Sequence, residues 1–187
     1  IISIKRNQET IESIKTAVDA VCGENAQKSQ IIFKECQSSA YFLKSIVETQ
    51  EYTIEEKRTE YLENNIVRAF VSNTNISAIW CIFQNEEDSV AVDICNFAFY
   101  RQNDKVEKLA YDTGSKIQEI ADKAINKVKV SGMPYLGDPR LESYSNKNST
   151  ESLVANLMVP VIKNNAFKGV VSIDIALGSF ENFINKI

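Results

Sequence analysis

The sequence predicts an α+β fold, a long N-terminal helix beside a central antiparallel sheet flanked by further helices. Three observations predict it. Apolar residues recur at close to the 3.6-residue period from residue 9 to residue 50. The strand-like runs arrive as neighbouring pairs around short polar turns, at 76–100 and again at 153–175, rather than alternating with helices as in a parallel sheet. Asn164-Asn165 separates the last two runs, and asparagine tolerates the positive φ that a two-residue hairpin turn demands.

The long helix is carried by Ile11, Ile14, Val18 and Val21, then by Ile32, Phe33, Cys36, Ala40, Leu43 and Val47, with Thr10 as a candidate cap. Its middle, Gly23 to Gln30, offers little for a core to grip. A helix of about forty residues is about 60 Å long, more than a domain of this size can cover, so part of it projects or pairs with another chain. Thr53-Ile54-Glu55-Glu56 has the form of a capping box and opens a second helix through Tyr61, Leu62, Ile66, Val67 and Phe70, ended by Asn73-Thr74-Asn75. Ile76 to Phe83 reads as a strand, Gln84 to Asp88 as an acidic turn, and Val90 to Tyr100 as the returning strand, broken at Gln102-Asn103-Asp104. Helical spacing returns over Lys116 to Ile125. Ser131 to Thr150 reads as a loop, with Gly132, Pro134, Gly137 and Pro139 followed by a polar run; loops of that length are usually functional or mobile. Leu153 to Ile162 and Phe167 to Ile175 form the closing hairpin, with a bulge or close backbone approach expected at Gly169. A short amphipathic helix through Phe180, Phe183, Ile184 and Ile187 follows.

Composition narrows the function. The chain has 187 residues, enough for one domain or one domain plus a long helix, and a net charge of −4 with no basic stripe for nucleic acid. It contains no histidine, which removes the commonest general base and metal ligand. Cys22, Cys36, Cys81 and Cys95 form no Cys-x-x-Cys pair, so zinc and redox motifs are unsupported; a Cys81–Cys95 bridge is geometrically conceivable, and buried thiols are the alternative. No Gly-rich phosphate loop or nucleophile elbow occurs. A binding module without catalysis, cofactor or metal is therefore expected. No run of 18 apolar residues is present, while Ile1-Ile2-Ser3-Ile4 before Lys5-Arg6 fits the last turn of a spanning helix as readily as a plain terminus. The absence of a starting methionine and a signal peptide suggests a fragment of a larger protein.

The last strand carries an oddity, Asp174 between Ile173 and Ile175. Alternation puts Ser172 and Asp174 on one face, and Val171, Ile173 and Ile175 on the other. This stretch resembles the closing hairpin of bacterial Cache sensor domains, PAS-like extracytoplasmic modules of chemoreceptors and sensor kinases. The family's Pro-Val, short polar turn, Gly-Val-Val-x-x-Asp-Ile and helix stand here as Pro160-Val161, Gly169-Val170-Val171-Ser172-Ile173-Asp174-Ile175 and Ser179 to Ile187. Met133 to Pro139 is similar to the family's Pro-Tyr segment before that hairpin, and Ile79 to Phe83 to its first strand.

The resemblance implies a PAS-like Cache module at 53–187, preceded by a signalling or dimerisation helix at 1–52, as part of a membrane-tethered receptor; the length also fits the membrane-distal half of a double module. It implies that Asp174 contacts a ligand ammonium group; bonding to backbone amides or a nearby cation in a structural role is the other reading. Tyr135 matches a family ligand contact. Asp138 is displaced by one position, and Asp138-Pro139 is also a turn initiator. Trp80, on the face opposite Ile79, Cys81 and Phe83, is placed to stack on a ligand or to pack beneath a helix. Tyr111 is a further candidate, and Arg101 a candidate carboxylate clamp. The Arg-x-Trp-Tyr element of amino-acid-binding members is absent, which weakens the case for an amino acid and leaves a small organic acid, an amine, another metabolite or no ligand. If the Asn164-Asn165 turn has two residues, Ala155 faces Asp174 and leaves room beside it. The alternative to a sensor is a dimerisation or spacer module with an empty pocket.

Overall fold

The computed structural model describes residues 2–49, 55–83, 97–102, 105–110, 116–144 and 151–178. Helices α1 (Ile2–Thr49) and α2 (Glu55–Ser72) precede strands β1 (Ile76–Phe83), β2 (Phe97–Gln102) and β3 (Lys105–Ala110). Helix α3 (Lys116–Ser131) and the short strands β4 (Tyr135–Leu136) and β5 (Arg140–Glu142) lead into the hairpin β6 (Ser152–Lys163) and β7 (Ala166–Ala176). The strands form one sheet in the order β3-β2-β1-β7-β6-β4, with β5 also on β6, and every pairing is antiparallel. The α+β expectation therefore holds. The expected Thr53 cap, acidic turn, start of the second strand and final helix lie outside the described residues, as do Cys95 and Tyr111.

The two faces of the sheet differ because its strands alternate. One face gives Ile79, Cys81, Phe83, Phe99, Leu157, Val159, Val161, Val171, Ile173 and Ile175 to a core shared with Leu62, Ile66 and Phe70 of α2. Among the side chains described, helix α1 gives that core Ile32, Cys36, Ala40, Leu43, Ile46 and Val47, with Phe33 packed against it, all in its C-terminal half. At 48 residues it is about 72 Å long, so its first half runs beyond the sheet. Cys36 and Cys81 are free thiols in this core, and burial pushes them up to about 11 and about 12, which leaves them inert.

The closing hairpin turns as the asparagine pair predicts, with φ of 51° at Asn164 and 60° at Asn165. Gly169 then does what its position in the strand suggested. Its φ is 155°, and a Cβ there would lie 2.2 Å from the Ile82 carbonyl oxygen, so only glycine fits. The register slips by one residue between Val161 and Ile162, opposite the stretch that Gly169 closes. Asp174 consequently faces Asn156, while Ala155 faces Ile175. The expected Ala155 neighbour is corrected to Asn156; the bulge is the reason.

The segment 131–150 is not all loop. Helix α3 runs to Ser131 and is capped by Gly132, at φ 63°, whose amide donates to the Val128 carbonyl. Tyr135-Leu136 and Arg140-Leu141-Glu142 then pair with β6 as edge strands. Strands of two and three residues are too short to leave a period in a sequence rich in glycine and proline.

Candidate ligand-binding site

The second face of the sheet divides in two. At one end α3 lays Ile125 and Val128 on Met158 and Val170, a small apolar patch edged by Ile82, Tyr135 and Phe167. The rest of the face carries aromatic and charged side chains. In register across four strands lie Tyr100 of β2, Ala78 of β1, Asp174 of β7 and Asn156 of β6. The small residue beside Asp174 is thus Ala78. Tyr144, just beyond β5, packs in one cluster with Ala78, Ala98, Trp80 and Tyr100. Its ring stacks on Tyr100 at 5.8 Å between centroids and tilts against Trp80 at 6.3 Å.

Asp174 is 0% exposed, so its carboxylate must be paired or hydrogen-bonded to stay charged. Four side chains from three other strands and the segment after β5 supply the bonds. Trp80 Nε1 and Tyr144 OH each donate to Oδ2 at 2.9 Å. Asn156 Nδ2 donates to Oδ1 at 2.6 Å. Arg140 Nη2 reaches over β6 to both oxygens, at 3.2 and 3.4 Å. Arg140 Nε donates to Glu142 at 2.8 Å, and Asn156 Nδ2 also donates to Ser172 Oγ at 2.6 Å. Burial by itself would lower the Arg140 pKa, but Asp174 and Glu142 outweigh it and the guanidinium is held above its ordinary value. The Tyr144 hydroxyl is pushed far up by burial and by the Asp174 charge, and stays protonated.

The candidates from sequence separate accordingly. Asp174 and Trp80 meet in a direct hydrogen bond. Tyr135 lies on the same face at the α3 end, with Lys127 Nζ at 3.2 Å from its hydroxyl, and makes no hydrogen bond to Asp174. Asp138 is exposed in the short connection between β4 and β5, which follow one another along β6. Arg101 is corrected. Neighbouring Tyr100 on the strand, it takes the opposite face, and its guanidinium donates to the carbonyls of Phe70, Asn73 and Ile76. It caps the C-terminus of α2, where open carbonyls and the helix dipole favour a cation.

The arginine on the site face is Arg140, and the residues that sequence reasoning missed are Arg140, Glu142, Tyr144 and Asn156. A signal for the first two was present. Arg140-Leu141-Glu142 alternates charged, apolar, charged, which is the period of an edge strand with both charges on one face. Asn156 had none, because its place beside Asp174 depends on the bulge. Among the described residues no cluster of His, Cys, Asp and Glu has the makings of a metal site, and no helix is long and apolar enough to cross a membrane.

No family model and no curated protein matches the chain. Solved structures do. The periplasmic sensory domain of the Campylobacter jejuni chemoreceptor Tlp1 superposes with a TM-score of 0.63 at 14% identity over 85% of this chain and 59% of its own. The extracellular domain of soHK1S-Z6, assigned as a histidine kinase, gives 0.61 at 17% identity over 86% and 59%. The ligand-binding domain of the Campylobacter jejuni chemoreceptor Tlp3, solved with L-norvaline, gives 0.58 at 13% identity over 88% and 59%. This chain spans about three fifths of the length of those domains. The chain therefore has the fold of the periplasmic and extracellular sensory domains of chemoreceptors and histidine kinases, the fold that its resemblance to Cache modules implied.

Proposed function

We propose that this chain is the extracytoplasmic sensory domain of a transmembrane chemoreceptor or sensor kinase, and that it binds a small metabolite between the sheet and residues 131–150 without catalysing a reaction. The observation that carries the reading is the Asp174 cluster. A sheet face needs no buried carboxylate to fold, yet here one is ringed by Trp80, Tyr100, Tyr144, Arg140 and Asn156, away from the α1–α2 core. The presence of amino acids in the Tlp3 domain of the same fold supports a small polar ligand. Arg140 and Tyr144 tie the segment after β4 to the carboxylate, so a ligand that prefers one arrangement of these bonds shifts that segment and the closing strands. A thermal-shift screen of a metabolite library, followed by calorimetry, tests this. The expected result is a ligand whose stabilisation is lost in Trp80→Phe or Tyr144→Phe. A library without a hit, or a hit indifferent to both substitutions, counts against it.

A second reading has its own support. Asp174 is already saturated by the protein's own donors, as a spacer or dimerisation module with a vestigial pocket would have it. Within either reading, residues 1–52 serve as the signalling and dimerisation helix, and residues 53–187 form the sheet module, the membrane-distal half of a longer double module.

A further inference from the structure

One strand away from Asp174, on β6, the same face holds a second polar feature. What it implies about the ligand rests on the sensory reading above and makes it more specific. Val154, Asn156 and Met158 alternate onto this face, and across the outer edge of β6 they meet Arg140, Gly137 and Tyr135. Asn156 is 5% exposed. Its Nδ2 donates to Asp174 Oδ1 and to Ser172 Oγ, both on β7 and both at 2.6 Å. These bonds use both amide hydrogens and fix the orientation of the group, because a carboxylate only accepts. The planar amide then turns Oδ1 away from β7. That oxygen is buried and has no hydrogen-bond partner among the described residues. A buried acceptor without a donor is uncommon in native proteins and calls for an N–H or O–H.

The neighbours of Asn156 suit a small group beside that oxygen. Arg140 crosses β6 on one side to reach Asp174, and Tyr135 stands on the other. Between them Gly137 brings no side chain, and its amide donates to the Asn156 carbonyl at 2.7 Å. A Cβ on Gly137 would lie 3.8 Å from the Asn156 Cβ and 3.6 Å from Cε1 of the Tyr135 ring, both ordinary contacts, which marks a methyl-sized place next to the Asn156 side chain. Beside Tyr135 lies the apolar patch of Met158 and Val170. Strands β4 and β5, on either side of Gly137, have only two and three residues, so this edge can lift locally to admit a ligand.

We propose that the ligand carries an uncharged hydroxyl group that donates to Asn156 Oδ1 in the place beside Gly137, with its carbon skeleton toward Met158. One unpaired acceptor matches one O–H. A carboxamide would bring two N–H bonds and leave one unmet. An ammonium group would bring three, with a charge. Asp174 already accepts five hydrogen bonds from four donors, Arg140 among them, so that charge would be buried without a counter-ion of its own. A carboxylate would set acceptor against acceptor.

The test uses pairs of probes that differ by one hydroxyl and vary in charge: L-lactate and propionate, L-threonine and L-2-aminobutyrate, 2-aminoethanol and ethylamine. Calorimetry on the purified chain should show at least one pair whose hydroxylated member binds about tenfold tighter or better. Equal binding within every pair that binds would mean that a buried water serves Oδ1; it overturns the hydroxyl subsite and leaves the sensory reading standing. No heat from any hydroxylated probe at millimolar concentration overturns the subsite too, and the wider metabolite library then decides the sensory reading separately. Gly137→Ala gives a second readout. Its methyl group fills the place at ordinary contact distances, on a backbone outside the left-handed region. The melting temperature should therefore stay within about 2 °C of wild type while the hydroxyl preference falls threefold or more. A preference that survives intact in the folded variant would put the hydroxyl elsewhere and overturn its assignment to Asn156. If that variant does not fold, the wild-type pairs alone carry the outcome.

Discussion

Asp174 is where the chemistry of single residues decides most. Its substitution by asparagine keeps the shape but puts an NH2 group among donors from Trp80, Tyr144, Asn156 and Arg140. At least one donor then faces a donor in a buried site, and Arg140 loses one of its two counter-charges. Asp174→Asn should therefore destabilise the fold by about 2–4 kcal/mol as well as weaken ligand binding, measured by urea unfolding. Wild-type stability would show that the cluster is wetter or looser than its geometry. Tyr144 gives a pH signature. Its folded pKa is raised, so its stabilisation is complete below the unfolded tyrosine value of about 10 and is lost as pH rises above it. Tyr144→Phe should cost about 1 kcal/mol at pH 8 through the lost bond to Asp174, and the gap to wild type should close by pH 11. A gap that stays constant with pH would separate the hydroxyl from that charge.

The element that sets the site is the closing hairpin, and within it one glycine. A methyl group at Gly169 would meet the Ile82 carbonyl oxygen at 2.2 Å and the Phe83 Cα at 2.8 Å, on a backbone whose φ of 155° an L-residue rarely adopts. Gly169→Ala should cost about 3 kcal/mol or more. It should also disturb the bulge, and with it the Asn156–Asp174 pairing two turns of the pleat away. Urea unfolding gives the first number, and loss of ligand response in a variant that still folds would reveal the second. A variant as stable as wild type would mean that β1 and β7 separate easily at this point. Pro160 fits the same element for a related reason: it lies on β6 beyond the residues that β4 and β5 pair, where one edge of the strand has no described neighbour.

For the whole molecule the question is how much of α1 the sheet needs. Among the described side chains, its buried contacts with the core begin at Ile32. Removing residues 1–30 should change the unfolding free energy by no more than about 0.5 kcal/mol, as for other surface changes. Removing residues 1–45 also takes Ile32, Cys36, Ala40 and Leu43 from the core. At about 1.5–3 kcal/mol for each large apolar side chain, that loss is comparable to the whole stability of a domain, so the shorter chain should not fold. Sedimentation of the intact chain at high concentration should show a dimer that the 1–30 deletion abolishes. A strict monomer, or a dimer unaffected by the deletion, would assign the projecting helix another role.

The parts legible in the sequence were those fixed by local rules. The 3.6-residue period marked the core stripe of α1, the two asparagines marked the turn, and alternation put Trp80 and Asp174 on the face away from the core. These follow from a residue's own dihedrals and its nearest neighbours along the chain. The tertiary structure decided what surrounds Asp174. The bulge moved the pairing by one residue, from Ala155 to Asn156. Strand β2 turned Arg101 toward the open carbonyls of α2, and β5, too short to show a period, delivered Arg140 over β6 to the carboxylate. A buried charge is satisfied by whichever donors the closed sheet brings within 3 Å or so, and that choice is made between strands far apart in sequence.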